Sequence, residues 1–508
     1  MNSKILILLS LIALTISYNS GVKVAIDMNI VKALKQLNLN ELLANQILAD
    51  HIEESGQFLF KYDLTVDNLT ITNISNPTTV DVIHNSSSEG YPLVKLDIKN
   101  ISVDLTMAFY VKFGVFTEQS DCVKVHTVVT SFEGEFYFRP NGSIVIQNAN
   151  LELSDLKIDM DSKWLNFLIG IFKNLITNQA QKAIKEGTEK GQEYVNNWIV
   201  NQTLVDIGFG IGLNVSNTEI PVLTKYTKSN RIMSTLFGLF FGQKRANIKR
   251  NAETTILTTG IHGSIYPNLH PELKPKIDDA VDMKYDTSLY KNEIQALVSD
   301  YSINTVLFMG QQTGILHVEM QNGLNNTIPW DYSVNGLKDV LPEYPQKYPS
   351  NNYQVQMKAY VSVNDHNQPK LATDVNGKAK FYVNFGLDFY TFNSEDPMDD
   401  PVKDLQINFS ANVDVDVKTS DNTLRITLGS LQFSDSKTIV DNLNVDMDRF
   451  KNTLVKAVDD YVYPELYKYI KEVKVVELLK EATNIDFKDF TVVTQKGYYI
   501  GSIGLKTL

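Results

Sequence analysis

Seven histidines, His51, His84, His126, His262, His270, His317 and His366, are the first candidates for acid–base or metal chemistry in this chain. They show no two- or three-residue spacing on one face of the kind metal ligation favours. Cys122 is the only cysteine, so thiolate zinc sites and intramolecular disulfides are both excluded, and its plain reading is a small buried apolar residue. No Gly-x-Ser-x-Gly elbow, glycine-rich phosphate loop or P-loop lysine is present. The acidic run Glu395-Asp396-Pro397-Met398-Asp399-Asp400-Pro401 lacks the glycine and glutamate spacing of a calcium loop and reads as solvated. The expectation is a protein that is not an enzyme and holds no cofactor or metal.

A different kind of chemistry is written in the segment 225–250. It contains Lys225, Lys228, Arg231, Lys244, Arg245, Lys249 and Arg250 and no acid, around the apolar run Ile232 to Gly242. The run is too short to span a bilayer. Its composition suits interfacial contact, with Leu236, Phe237, Phe240 and Phe241 at the acyl boundary and Lys244 and Arg245 at the headgroups. A buried hairpin tip or a plain loop is the alternative.

The elements around this insertion repeat. Amphipathic helices are expected over Ile26–Asp50 and Lys163–Trp198 in the first half, and over Leu289–Gly310 and Val445–Lys471 in the second. Asp161 or Ser162 is the N-cap expected for the second helix, whose apolar face is Leu165, Leu168, Ile169, Phe172, Leu175 and Ile176. Pro464 should kink the last helix. Alternating strands lie between: Phe58–Ile74, Leu93–Phe116 with a bulge near Lys99 and Asn100, Thr127–Phe138, a turn at Pro140-Asn141-Gly142, and Ser143–Met160. Leu204–Val215 and Thr254–Ser264 read as a hairpin enclosing the insertion. Asp404–Val417 alternates without a break and turns at Asp421-Asn422 into Leu424, Ile426 and Leu428. Sheets with one apolar face, closed by helices with one apolar stripe, predict an α+β fold enclosing an apolar space.

At 508 residues at least two domains are expected. Residues 1–20, with Lys4 before the apolar run Ile5–Ile16, have the layout of a signal peptide, which places the chain as secreted or in an endomembrane lumen. An N-terminal domain then spans 21–264, a proline-bearing linker 265–277 with Pro267, Pro271 and Pro275, and a C-terminal domain 278–508. Sequons agree with that compartment, with Asn68, Asn73, Asn85, Asn141, Asn201 and Asn325 as glycosylation candidates beside Asn100, Asn214 and Asn408. A net charge of -12 argues against nucleic acid as a partner.

Four strings carry a family likeness. Ser162-Lys163-Trp164 through Phe172-Lys173, Met283–Met320 with Gln312-Thr313-Gly314-Ile315-Leu316, Leu341-Pro342-Glu343-Tyr344-Pro345-Gln346-Lys347-Tyr348-Pro349, and Asp489-Phe490 to Gly504 occur in this order. Together the chain resembles the family of bactericidal/permeability-increasing protein, lipopolysaccharide-binding protein and the phospholipid and cholesteryl ester transfer proteins. The resemblance implies two tandem tubular lipid-binding (TULIP) domains, each a twisted antiparallel sheet wrapped around long helices, in an elongated boomerang with a central sheet. It implies a pocket in each for phospholipid-like or sterol-like lipid, and a monomer that touches membranes peripherally and transfers lipid between them. Candidate lining residues are Ile30, Leu34, Leu168, Phe172 and Ile176 for the first pocket, and Leu297, Tyr301, Leu454, Val458 and Tyr461 for the second. Two departures stand out. Lys185–Val195 lacks the cysteine of the family's N-domain disulfide, and the N-terminal half is acidic where endotoxin-binding members are cationic. The alternatives are a host-defence protein binding microbial envelope lipids such as lipopolysaccharide, and a secreted interaction protein with a filled core.

Overall fold

The computed structural model describes residues 20–506 except 37–38, 41–43, 46, 58–60, 114, 140–141, 155, 160–164, 202–203, 209–210, 215–216, 229–251, 268–279, 290–291, 313–315, 325–327, 351, 362–367, 375–377, 397–399 and 484–485. The chain is sheet-rich, with a strongly paired sheet in each half and a third sheet built from both. That shared sheet has six antiparallel strands in the order Asn217–Lys228, Ala252–Ile261, Val22–Asp27, Ile294–Ser299, Tyr498–Leu505 and Phe487–Gln495. Its middle is the pair Val22–Asp27 and Ile294–Ser299, with Val24 opposite Ala296. Backbone hydrogen bonds therefore join the two halves directly.

The N-terminal sheet is organised by the 23-residue strand Phe116–Phe138. On one side it pairs with Ile101–Phe113 and then with Pro92–Lys99, and on the other with Lys157–Asp159 and Ile144–Leu153. Ile98 faces Phe132 and Ile101 faces Val129, so the register runs unbroken across Asn100. Asn100 itself has φ 59°. The bulge expected near Lys99 and Asn100 is thus absent, and a single residue in the left-handed region marks the break between the two strands instead. The turn after Phe138 is closed by Arg139 donating to the Ser143 carbonyl at 2.9 Å.

Across the inner face of this sheet lies the helix Leu165–Asn201, matching the expected Lys163–Trp198. Leu168, Ile171, Phe172, Leu175 and Ile176 recur at helical spacing and pack on Leu64, Val66, Met107, Phe109, Val123 and Val125. Phe109 and Phe172 meet edge to face with centroids 5.0 Å apart. The expected N-cap, Asp161 or Ser162, lies outside the described residues.

The C-terminal sheet repeats the plan around Ala379–Asn393 and Val402–Ser420, with Tyr353–Val361, Thr423–Leu428 and Gln432–Asp441 beside them. Asp421 and Asn422, at φ 51° and 62°, form the tight turn expected of them. The covering helix starts at Met447, capped by the Asp446 carboxylate, which accepts the Asp448 and Arg449 N–H groups at 3.2 Å. It passes Pro464 by opening into π-helix over Val458–Val462 before Tyr463–Ile470 resumes as α-helix. Proline lacks the N–H and crowds the carbonyl four residues earlier, and the wider turn relieves both.

Several sequence expectations are overturned. No long helix runs from Ile26 to Asp50: Val22–Asp27 is a strand, Met28–Gln36 a 3-10 segment, and Ile47–Gln57 an edge strand. Val22–Asp27 is covered on both faces, so it has no alternation for a reader to find. Leu289–Gly310 likewise divides into the strand Ile294–Ser299 and the helix Asp300–Gln312, because hydrogen bonding to strands on both sides overrides the helical spacing of Ile294, Leu297 and Val298. Leu204–Gly208 pairs with Ile211–Asn214, while Ala252–Ile261 takes Asn217–Lys228 as its partner. Lys225 and Lys228 thus belong to that ladder, and the rest of the basic insertion lies outside the described residues. So does nearly all of the proline-bearing linker. Cys122 is exposed rather than buried: its neighbour Val123 faces the core, which turns Cys122 outward.

Candidate functional site

The inner faces of the two large sheets are filled to different extents. In the N-terminal half, Val103, Leu105, Met107, Phe109, Val111 and Phe113 are all buried beneath the helix. In the C-terminal half the same completeness holds only at one end, where Leu387, Phe389, Leu405, Ile407 and Phe409 close around Phe450 and Leu454.

Further along those strands the cover thins. Phe381 opposes Val413 and Val383 opposes Ala411, so by register they share the inner face with these two buried residues. Yet Phe381, Val383, Phe385, Val415 and Val417 are only half-buried, as are Leu424, Ile426 and Leu428 on the next strand. Alternation commits these side chains to an interior that the helix does not complete. Val455, Val458 and Tyr467 reach down from the helix onto part of the row, above a floor of Ala411, Val413 and Leu431. The result is an open apolar trough.

One end of the trough is pinned by tyrosines. The Tyr463 hydroxyl donates to the Gly429 carbonyl at 2.9 Å, and the Tyr467 hydroxyl accepts the Leu428 N–H at 2.9 Å. Burial, with Asp459 and Tyr467 adding to it, pushes the Tyr463 phenol up to about 12. The Tyr463 hydroxyl is therefore neutral at neutral pH, and both hydroxyls are engaged with backbone.

The outward faces are polar. In the N-terminal sheet a groove of about 640 Å³ is lined by Asp104, Thr106, Lys124, His126, Lys157 and Asp159, with His126 Nδ1 2.6 Å from Asp104 Oδ1. That contact, together with Asn73, holds the Asp104 carboxyl below its ordinary range. A second cross-strand pair joins His51 to Asp67 at 2.5 Å, and hydrogen bonds to Asp67 and then Glu53 raise the His51 pKa. In the C-terminal sheet the outer groove, about 790 Å³, sets Lys378, Lys380 and Lys418 among Asp374, Asp414 and Asp416. Among the described residues no group of three or more metal-ligating side chains comes together. No helix among them is long and apolar enough to cross a membrane.

The residues singled out in the sequence are divided among several places. Leu168, Phe172 and Ile176 do share one cluster, but Ile30 packs elsewhere, with Val24, Ile26, Met28 and Phe138. The side chain of Leu34 lies outside the described residues. Leu297 sits in the shared sheet against Met283 and Ile500, Tyr301 meets the His262 ring at 5.5 Å, and Leu454 belongs to the filled end of the C-terminal half. Only Val458 lies in the trough. Tyr461 is 37% exposed, because the π-turn adds a residue to the helical period and brings Tyr463 and Tyr467 inward in its place.

Phe381, Val383, Phe385 and Phe433 were not anticipated, although Phe381, Val383, Phe385, Leu387 and Phe389 alternate as regularly as the strand they pair with. Leu236, Phe237, Phe240, Phe241, Lys244 and Arg245 lie outside the described residues, as do Asn141 and Asn325. Asn68, Asn73 and Asn85 are exposed, and Asn201 ends its helix.

No protein-family model and no curated protein matches the sequence. Two solved structures are similar over almost the whole chain. One, described as the crystal structure of lipopolysaccharide binding protein, is 13% identical with a TM-score of 0.38, covering 96% of this chain and 99% of that one. The other, P47 from Clostridium botulinum A2, is 10% identical with a TM-score of 0.23, covering 98% and 100%.

Proposed function

We propose that this chain is a lipid carrier that shelters the acyl part of an amphipathic lipid in the C-terminal trough and moves it between membranes without chemical change. The observation that supports this is the row of inward-committed but half-buried residues, Phe381, Val383, Val415, Val417, Ile426 and Leu428. Each methylene that such a row takes from water is worth about 0.8 kcal/mol, so a single acyl chain supplies ample affinity with no polar anchor. The TULIP resemblance, with its tandem division into 21–264 and 278–508, gives the same reading from the sequence side. In this proposal the protein is secreted or lumenal, carries glycans on exposed sequons such as Asn68 and Asn85, is monomeric and catalyses nothing.

Organic extraction of the purified full-length protein, followed by mass spectrometry, tests it. The expected result is phospholipid-like or sterol-like lipid at or near one molecule per chain. Protein free of lipid, and unable to take up a fluorescent phospholipid from vesicles, refutes the proposal. Selective uptake of lipopolysaccharide in a salt-sensitive manner would instead favour the host-defence alternative.

A further inference from the structure

We infer that Asn408 carries an N-linked glycan whose first N-acetylglucosamine rests on the ring of Tyr360. Asn408 opens the sequon Asn408-Phe409-Ser410 inside the strand Val402–Ser420. Phe409 is 1% exposed and belongs to the core, so alternation turns Asn408 and Ser410 to the outer face of the C-terminal sheet, where Asn408 is exposed. Among the described residues no protein group takes its side-chain amide. At Asn73 and Asn100 the same nitrogen is already given, to Asp104 at 3.0 Å and to Thr78 at 3.1 Å.

Strand register builds a platform beside Asn408. His317 pairs with Tyr360, Tyr360 with Gly386, Gly386 with Asn408, and Asn408 with Lys437, so one row crosses five strands on the outer face. Gly386 brings no side chain to this row, and the Tyr360 ring takes its place: a Cβ on Gly386 would stand 2.5 Å from Tyr360 Cζ and 2.7 Å from Cε2. The group that Asn408 meets across Gly386 is therefore an aromatic ring, about 5 Å from its Cβ at the spacing of directly opposed side chains. The ring is fixed there. Its hydroxyl donates to Asp388 Oδ1 at 3.1 Å and accepts the Gln406 amide at 3.3 Å, and the His317 ring stacks on it with centroids 6.2 Å apart. Asp388 is in turn 6% exposed and accepts the Lys403 ammonium at 2.8 Å.

Such a site fits the first sugar of an N-glycan. A β-linked N-acetylglucosamine presents C–H groups on its ring faces, which an aromatic ring attracts, and it is joined one bond from Asn408 Nδ2, so it reaches Tyr360 without moving either strand. Its hydroxyls and acetamide need polar neighbours, and Gln406 and Lys437 stand on the same face beside it. The bond forms when Asn408 Nδ2 attacks C1 of a lipid-linked glycosyl diphosphate. The C1–O bond breaks, the lipid diphosphate leaves with its electron pair, and one amide proton passes to a base of the transferase. The inference rests on the secreted or lumenal reading, since that donor is met in the secretory lumen.

The test is glycopeptide mapping by mass spectrometry of the full-length protein secreted from eukaryotic cells. Asn408 should be occupied in most chains. Glycans at other sequons with Asn408 bare overturn this inference alone, whereas no glycan at any sequon defeats the lumenal reading with it. The ring contact is read by comparing Asn408 with Asn408→Gln in three backgrounds. Loss of the glycan should lower the thermal midpoint by about 2 °C in wild type and in Tyr360→Phe, which keeps the ring, and leave it unchanged in Tyr360→Leu. Gly386→Ala, whose Cβ displaces the ring from the neighbouring strand, should behave as Tyr360→Leu does. Peptide N-glycosidase should release the Asn408 glycan from native protein several times faster in both of these variants than in wild type. Equal midpoint losses in every background, with unchanged release rates, overturn the inference.

Discussion

The Lys347 ammonium nitrogen lies 2.5 Å from Oδ1 of Asp404, whose side chain is completely buried. Tyr348 donates its hydroxyl to the same oxygen at 3.0 Å, and burial followed by this carboxylate keeps the phenol protonated far above its ordinary range. Four residues before Lys347 in the chain, Glu343 meets Arg449 at 2.6 Å. The 341–349 string thereby ties the Val402–Ser420 strand to the first turn of the helix that roofs the C-terminal half. Its distinctiveness in the sequence has a mechanical cause.

Breaking this pair from one side leaves a buried charge alone, which typically costs about 3 to 5 kcal/mol. Lys347 is partly exposed, so Lys347→Met is expected at the lower end, near 3 kcal/mol. The double variant Lys347→Met/Asp404→Leu should recover most of the loss. Urea unfolding of all three chains checks this, and equal losses in the single and double variants would reject it.

A second prediction concerns a sheet edge. Gln192 Oε1 accepts the Ile146 N–H and Asn196 Oδ1 the Ile144 N–H, each at 2.8 Å, so the helix caps the free edge of Ile144–Leu153 with its own amides. An unpaired edge is a template for aggregation, and each orphaned N–H costs about 1 to 3 kcal/mol. Gln192→Ala/Asn196→Ala should speed hydrogen exchange at Ile144 and Ile146 and lower the concentration at which the protein aggregates. Unchanged exchange at both amides would contradict it.

The third prediction follows from Asp300, which begins the helix Asp300–Gln312 and accepts hydrogen bonds from the Thr373 N–H at 2.7 Å and hydroxyl at 2.9 Å. Burial outweighs these bonds and raises its pKa above the ordinary carboxylate value. A raised acid pKa means that the folded state holds the proton more tightly than the unfolded chain. The associated stability is therefore complete below the unfolded value, about pH 4, and is lost as pH rises through the folded one. Asp300→Asn keeps an acceptor for Thr373 but removes this titration. Its stability relative to wild type should grow from about pH 4 to about pH 7 in paired urea melts. A constant difference across that range would show that Asp300 titrates normally.

How legible these features were in the sequence depended on how many faces each element buries. Leu165–Asn201 and Val402–Ser420 each cover one face, so their periods of 3.6 and 2 survive in the residue order and were read correctly. Val22–Asp27 and Ile294–Ser299 sit in the middle of a sheet, where Lys23 and Gln295 are buried as thoroughly as Ala25 and Leu297. Lys23 is accommodated there by Glu219, a partner almost 200 positions away that no local pattern announces. The helix after Met447 was legible until the π-turn at Val458–Val462 shifted its stripe from Tyr461 to Tyr463 and Tyr467. The trough was legible in its parts, since alternation marks an inner face. That the face is incompletely covered is a property of helix length and placement, which alternation does not encode.

The last prediction separates a filled core from an open trough. Leu168 is fully buried among well-packed neighbours, so Leu168→Ala should cost about 2 to 5 kcal/mol through lost burial and a residual cavity. Val415 and Ile426 lie on the inner face but remain half-buried, so Val415→Ala and Ile426→Ala remove contacts that are only partly made. Each should cost under about 1 kcal/mol, because little protein packing is lost at a half-buried position. The effect on cargo should run the other way. Val415→Ser/Ile426→Ser replaces two apolar wall groups with hydroxyls that have no partner in an acyl chain, and co-purified lipid should fall severalfold while the unfolding midpoint barely moves. Leu168→Ala should instead lower the midpoint and leave lipid content per folded chain unchanged. If the trough variants were as destabilising as Leu168→Ala and carried as much lipid as wild type, the inner face near Val415 would be ordinary core, and the cargo would have to lie elsewhere.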